Sequence, residues 1–297
     1  MAGEARSARR GRGIAYAVVS AVLFGCIPSL TQGLYAAGAT GYQIALVRMG
    51  LSALIVLGVC RWRGDRLALH GRQLAAMVGT SLLYGASIVC YMVALGECSA
   101  GVVGTLYYTY PLWVLLISAL LFRRRVTKVQ AVAVAMALAG TAFVFGLGSQ
   151  WTWTVAGALL TLGCALSYSV YTVAVARPVL ADVAPTVVFF YGCLATVALS
   201  APFTVGSDFS VWLAPAPVAL VVVLAVLANT VPYLLYIEAT RLAGSQDASL
   251  LSYIELAVIV LVSAVATGVV PGAFELVGCA LIAAAGLAIA LGNRKGA

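Results

Sequence analysis

Charge is what this sequence has least of. Asp, Glu, Lys and Arg make up 9% of its 297 residues, against about 25% in soluble domains. Apolar residues make up 63%, so a soluble globule is excluded and lipid is the solvent for most of the chain. Histidine is nearly missing too. His70 stands alone in a polar stretch, which leaves little room for histidine-based catalysis. The seven cysteines (26, 60, 90, 98, 164, 193 and 279) fall in or beside apolar runs, none of them as CxxC. They read as small packing residues, and neither a disulfide framework nor a zinc site is expected. There is no HExxH, no GxSxG and no aspartate-rich motif, so a membrane enzyme lacks its usual machinery. An ion channel would show a charged ring or a filter-like sequence, and neither is present. No metal and no cofactor is implied.

What is there is a succession of apolar runs. The first spans about residues 13–33 after an arginine-rich start, too long for a cleaved leader. The others cover about 42–60, 73–95, 101–121, 128–146, 153–175, 185–205, 216–237, 247–268 and 272–292. Each is about long enough for a helix crossing a bilayer. The run from Gly101 shows the pattern well, since it passes Tyr107, Tyr108, Tyr110 and Pro111 and stops at Arg123, Arg124 and Arg125. The net charge of +8 does not suggest nucleic acid, because the basic residues punctuate the runs instead of forming a face. Ten helices with both termini in the cytoplasm place 16 of the 17 Lys and Arg residues on the inner side, as the positive-inside rule requires. The remaining one, Arg48, lies within the second run. The expected organisation is a cytoplasmic tail (1–12), a five-helix repeat (13–146), a second five-helix repeat (153–292) and a short cytoplasmic tail (293–297).

An internal echo supports two halves. Adding 145 to each number from Tyr91 to Ala119 gives seven identities in 29 positions, among them Tyr91 with Tyr236 and Tyr108 with Tyr253. Five helices are an odd number, so the second half enters the membrane from the opposite side. Inverted repeats of this kind build secondary transporters around a midplane site. The expected fold is therefore an all-α integral membrane protein, with ten transmembrane helices forming two inverted five-helix repeats around a central cavity.

Several stretches resemble a known family. These are SAVLFG (20–25), LVRMGLSAL (46–54), YMVALGECSAGVVGTLYYTYPLW (91–113), LGCALSYSVYTV (162–173) and EATRLAGSQDASLLSYIEL (238–256). Together they resemble the EamA-type exporters of the drug/metabolite transporter superfamily. The tyrosine content points within it to the aromatic amino-acid exporters. The resemblance implies an exporter of small metabolites, and it departs at Glu255-Leu256, where the family usually has Glu-Pro. A kink at that point of the ninth helix is therefore not implied by the resemblance.

Intramembrane charge costs about 2.5–3.5 kcal/mol per residue on insertion scales, so Arg48 and Glu255 stand out. Two readings are open for Glu255: binding of a proton or substrate amine, or hydrogen bonding to backbone and hydroxyls near Ser252. For Arg48 the readings are a substrate contact, or a long side chain reaching the outer headgroups. Polar aromatics come next. Tyr84, Ser87 and Tyr91 share one helical face, and so do Asn229, Tyr233 and Tyr236. Tyr107, Tyr110, Tyr168 and Tyr171 add more. Tyr16, Tyr42, Tyr91 and Tyr236 suit the headgroup belts. Tyr84, Asn229 and Tyr233 suit a water-filled cavity, which would supply their polar groups with partners. The expected substrate-binding set is Tyr84, Ser87, Tyr107, Tyr110, Tyr168, Asn229, Tyr233 and Glu255, with possible hinges at Pro28, Pro111 and Pro232. The runs at 128–146 and 272–292 are small or aliphatic throughout and suit the periphery or a dimer contact. The expected partners are a small-molecule substrate, the bilayer and a possible coupling proton, with the protein a monomer or homodimer. A carrier of organic cations or of nucleotide sugars is the alternative within the superfamily, and the second would want cavity cations beyond Arg48.

Overall fold

Hydroxyl side chains, glycines and prolines decide where the apolar runs start and break. The structure, a computed structural model, describes residues 2–98, 100–122, 126–146, 154–267 and 272–292. The basic stop at Arg123–Arg125 and the tail 293–297 lie outside the described residues. Among those described, the chain is helical and holds no strand. The first five runs are α1 (Ala2–Phe24) with α2 (Ile27–Ala36), α3 (Gly41–Arg63), α4 (Gly71–Glu97), α5 (Ala100–Tyr107) with α6 (Tyr110–Phe122), and α7 (Lys128–Gly146). The second five are α8 (Val155–Val175) followed by the short α9 (Pro178–Ala181), α10 (Pro185–Ser200), α11 (Pro215–Ala225) with α12 (Val231–Leu242), α13 (Ser245–Leu251) with α14 (Ile254–Thr267), and α15 (Ala273–Gly292).

Threonines open several of these helices. Thr40 Oγ1 accepts the Gln43 backbone N–H at 3.3 Å, and Gln43 Oε1 accepts the Thr40 N–H at 3.1 Å. Thr127 and Gln130 repeat that reciprocal cap ahead of α7, so two otherwise orphaned donors are satisfied at each start. Six helical stretches among the described residues are long and apolar enough to cross a membrane: Gly41–Arg63, Gly71–Ala94, Val155–Val175, Pro185–Thr204, Pro215–Leu242 and Ser245–Val262. Tyr110–Leu121, Lys128–Val144 and Leu276–Ala288 are shorter apolar helices. The first run is divided between α1 and α2. Its helix also begins at Ala2, so residues 2–12 continue it.

The packing repeats itself across the two halves, which form two inverted five-helix repeats around a central cavity. The α3 helix packs on its equivalent α10, and α7 on its equivalent α15. The pair α4–α8 is matched by α12–α1, and α5–α6 against α8 is matched by α13–α14 against α1. Helices α7 and α15 meet through glycines. A Cβ on Gly140 would stand 2.7 Å from the Gly278 carbonyl oxygen, and one on Gly278 would stand 2.6 Å from that of Gly140. Small residues here serve backbone approach within the chain.

The breaks have three different causes. Pro111 lacks an N–H, so it cannot continue the ladder, and the helix parts between Tyr107 and Tyr110. The second-repeat equivalent has no proline but parts all the same, between Leu251 and Ile254. This break does not depend on the proline that the family usually has there. There Ser249 and Ser252 donate to the carbonyls of Gln246 and Ser249 at 2.9 and 2.6 Å. The backbone tightens to i→i−3 bonds from Tyr253, Glu255 and Leu256, so side chains compete with the helical ladder. The third device is a π-helical turn, Val226–Thr230, inserted between α11 and α12 just ahead of Pro232.

One end of the bundle is basic. Arg10 pairs with Asp247 at 2.7 Å, and Arg241 donates to the Leu180 and Val183 carbonyls at 3.2 and 2.5 Å. Thr186 donates to Asp65, which Arg63 approaches at 3.8 Å. At the opposite end Gln43 donates to the Asp208 carbonyl at 2.7 Å, and Tyr42 stacks on Phe203. The exposed Asp208 carboxylate accepts the Ser210 N–H and hydroxyl, which holds it below the usual carboxylate range.

Candidate functional site

Three interrupted helices converge on one cavity. Phe24 and Ile27 flank the interruption between α1 and α2, Tyr107 and Tyr110 that between α5 and α6, and Ser252 and Glu255 that between α13 and α14. Tyr84 and Ile88 of α4, Tyr168 of α8, and Tyr233 and Tyr236 of α12 complete the wall. The empty space among these side chains is about 530 Å³, part of it open to solvent. Gly25 fits the crossing closely, since a Cβ there would lie 2.6 Å from Val258 and 3.1 Å from the Glu255 carbonyl oxygen.

The wall is a connected sheet of tyrosines. Tyr84 lies 5.1 Å from Tyr233 and 5.2 Å from Tyr171, centroid to centroid. Tyr168 lies edge-on to Tyr110 at 5.0 Å and stacks on Tyr236 at 6.3 Å. Tyr107 joins Tyr110 at 5.4 Å and Tyr91 at 5.3 Å. Such pairs contribute about 0.5–1.5 kcal/mol each beyond burial, so the wall is stiff. Its hydroxyls are tied as well. Tyr110 bonds to Ser252, and Tyr171 to Tyr233. Ser169 donates to the Tyr110 carbonyl at 2.9 Å, which satisfies an acceptor beside the break.

Glu255 is the one ionisable carboxylate in this lining. It occupies the first turn of α14, where the helix dipole favours negative charge, with the Tyr108 hydroxyl within hydrogen-bonding reach. Among the described residues, no group of three or more His, Cys, Asp or Glu could hold a metal ion.

The structure thus brings Tyr84, Tyr107, Tyr110, Tyr168, Tyr233 and Glu255 into one lining. Ser87 and Asn229 do not belong to it. The Ser87 hydroxyl turns back to the Tyr84 carbonyl at 2.7 Å. Asn229 donates to Ser52 at 2.9 Å and Met49 at 3.4 Å, binding the π turn to α3. The extra residue in that turn takes Asn229 off the face that Tyr233 and Tyr236 share. Arg48 does not reach a lipid surface, because it is only 4% exposed inside the bundle. Pro28 follows the first break, near the start of α2, and its side chain lies outside the described residues. Pro111 and Pro232 are near the starts of α6 and α12, each next to an interruption. Tyr236, placed by spacing in a headgroup belt, is buried in the wall, and Ser252 joins it. The i, i+3 relation of Tyr236 to Tyr233 was the signal for it.

Sequence comparison agrees with this architecture. The model of the EamA-like transporter family matches twice, over residues 11–146 and 155–291. The chain belongs to the EamA-like transporter family. No curated protein matches the sequence significantly. A solved crystal structure shares the fold, with a TM-score of 0.82 over 95% of this chain and 98% of the other at 24% identity. The EamA-like transporter is thus a multi-pass membrane protein of the drug/metabolite type, with its tyrosine-walled cavity where the two repeats meet.

Proposed function

We propose that this chain is a secondary transporter that exports small amphipathic metabolites across the plasma (inner) membrane, with aromatic or hydrophobic amino acids as the solutes that suit it best. The observation that carries the reading is the cavity itself, an aromatic wall with one carboxylate set where broken helices cross. Tyrosine faces stack on aromatic solutes and attract ammonium groups, at about 0.5–2 kcal/mol per contact. Glu255 would hold the amine, and exchange of its proton would drive the cycle. Alternating access would come from rocking of α1–α6 against α8–α14. The basic end is read as cytoplasmic, because Arg10, Arg63 and Arg241 gather there.

An organic-cation carrier is the second reading, favoured because the one carboxyl or basic side chain of the lining is an acid, Glu255. A nucleotide-sugar carrier is disfavoured, since its phosphates would want cations beyond Arg48 and the lining holds no Lys or Arg. The test is flux of labelled phenylalanine, leucine and a lipophilic cation in liposomes containing the purified chain. Flux of the amino acids above that of empty vesicles is the expected outcome. If only the cation moves, the second reading replaces the first, and if none moves, both fail.

A further inference from the structure

Arg48 is a charge that the cavity lining leaves unused. It lies on α3 with 4% of its surface exposed, and its Nε is buried without a hydrogen-bond partner. The ion pairs found among the described residues, Arg10–Asp247 and Arg63–Asp65, do not involve it. Its electrostatic neighbours are hydroxyls and a thiol: Tyr84 and Tyr91 of α4, Tyr35 of α2 and Cys193 of α10. A guanidinium enclosed in this way, with no ion pair to a carboxylate among the described residues, is costly to keep in place. Two of these neighbours connect it to the site. Tyr84 is part of the cavity wall, and Cys193 follows Gly192, where an added Cβ would lie 3.2 Å from the Tyr84 ring, and meets Met49 beside Arg48 at 4.0 Å. Tyr35 is 39% exposed and its hydroxyl approaches Met92, so the arginine's surroundings extend toward the surface away from the basic end.

We propose that Arg48 forms an anion subsite that takes the carboxylate of the transported solute. The guanidinium fork matches a carboxylate in two parallel hydrogen bonds, and a low-dielectric surrounding strengthens the attraction. A zwitterion would then span the site, with its amine toward Glu255, its carboxylate toward Arg48 and its side chain against the tyrosines. The subsite deepens the exporter reading and rests on it for the solute's second pole, although the anion preference can be measured without transport.

The test uses detergent-solubilised full chain and two probes of one shape, 3-phenylpropionate and 3-phenylpropanamide. A ligand that binds the folded state raises the unfolding midpoint with its concentration. The acid is expected to bind about tenfold or more tightly than the amide. In R48Q that preference is expected to disappear, and in R48K, which keeps the charge but not the fork, to be reduced. If R48Q does not fold, R48K and the wild-type acid-to-amide ratio decide. Equal binding of the two probes, no binding of either, or a full preference surviving in the arginine variants would overturn the subsite. The liposome flux assay judges the exporter reading separately: amino-acid flux without any acid preference would leave the exporter and remove the subsite.

Discussion

Tyr110 and Glu255 occupy equivalent positions of the two repeats, 145 residues apart, each in the first turn after a helix break and each facing the same cavity. The pseudo-two-fold thus places a neutral phenol opposite a carboxylic acid. Next to them the Tyr110 hydroxyl bonds to Ser252, so the two interrupted helices are joined at their breaks.

The acid half of that pair is expected to set the pH response. If Glu255 releases and takes up a proton during each cycle, Glu255→Gln removes the titrating group. Proteoliposome flux of the wild type is expected to vary with pH across the neutral range and that of E255Q to be flat. An unchanged profile in E255Q would remove Glu255 from the coupling.

The contact between α7 and α15 permits a stability test with an internal control. Gly278→Ala puts a methyl 2.6 Å from a backbone oxygen, and overpacking of this kind costs about 1–3 kcal/mol. Gly79 on α4 has nothing within 4 Å of the same added atom, so Gly79→Ala is expected to be neutral or to gain up to about 1 kcal/mol from helix propensity. Thermal unfolding in detergent reads both. Equal midpoints for the two variants would contradict the close approach.

Asn229 separates a structural role from a binding role. Asn229→Ala leaves Ser52 without its donor in a buried seam, at about 1–3 kcal/mol, and opens space beside Met49. A lower unfolding midpoint with unchanged apparent substrate affinity is expected. Tyr233→Ala, by contrast, is expected to change affinity, since Tyr233 faces the cavity.

At the basic end, Arg10 and Asp247 fasten α1 to α13 at 2.7 Å, with Gln130 of α7 reaching the same carboxylate at 3.4 Å. A double-mutant cycle with Arg10→Gln and Asp247→Asn is expected to show coupling of about 0.5–3 kcal/mol, as found for residues in direct contact. High salt is expected to shrink it, because Arg10 is partly exposed. Additive single effects would show that the pair does not hold the two helices together.

Much of this was legible in the pattern of residues, and the exceptions have physical reasons. Runs of about 20 apolar residues and the placing of arginines are enough to define ten segments, since both follow from the thickness and polarity of a bilayer. Tyr84 and Tyr233 lie on a shared wall because α4 and α12 are regular around them. Asn229 escaped the same reasoning because one extra residue in a turn is silent in composition, and Pro232 only hints at it. The break before Glu255 has no proline to announce it, because hydroxyls at Ser249 and Ser252 do what a proline does elsewhere. Burial of Arg48 was equally hidden, since it depends on which faces of α3, α4 and α10 meet.

The π turn at Val226–Thr230 has a further consequence. It sits in the second repeat, whereas the equivalent stretch of α4 runs as an uninterrupted helix. A carrier that switches sides by exchanging the shapes of its two halves needs each half to adopt the form of the other. With one residue more in its ladder, α11–α12 cannot copy α4 without shedding the bulge. If this chain switches in that way, its two end states differ in energy and the empty protein is expected to rest on one side.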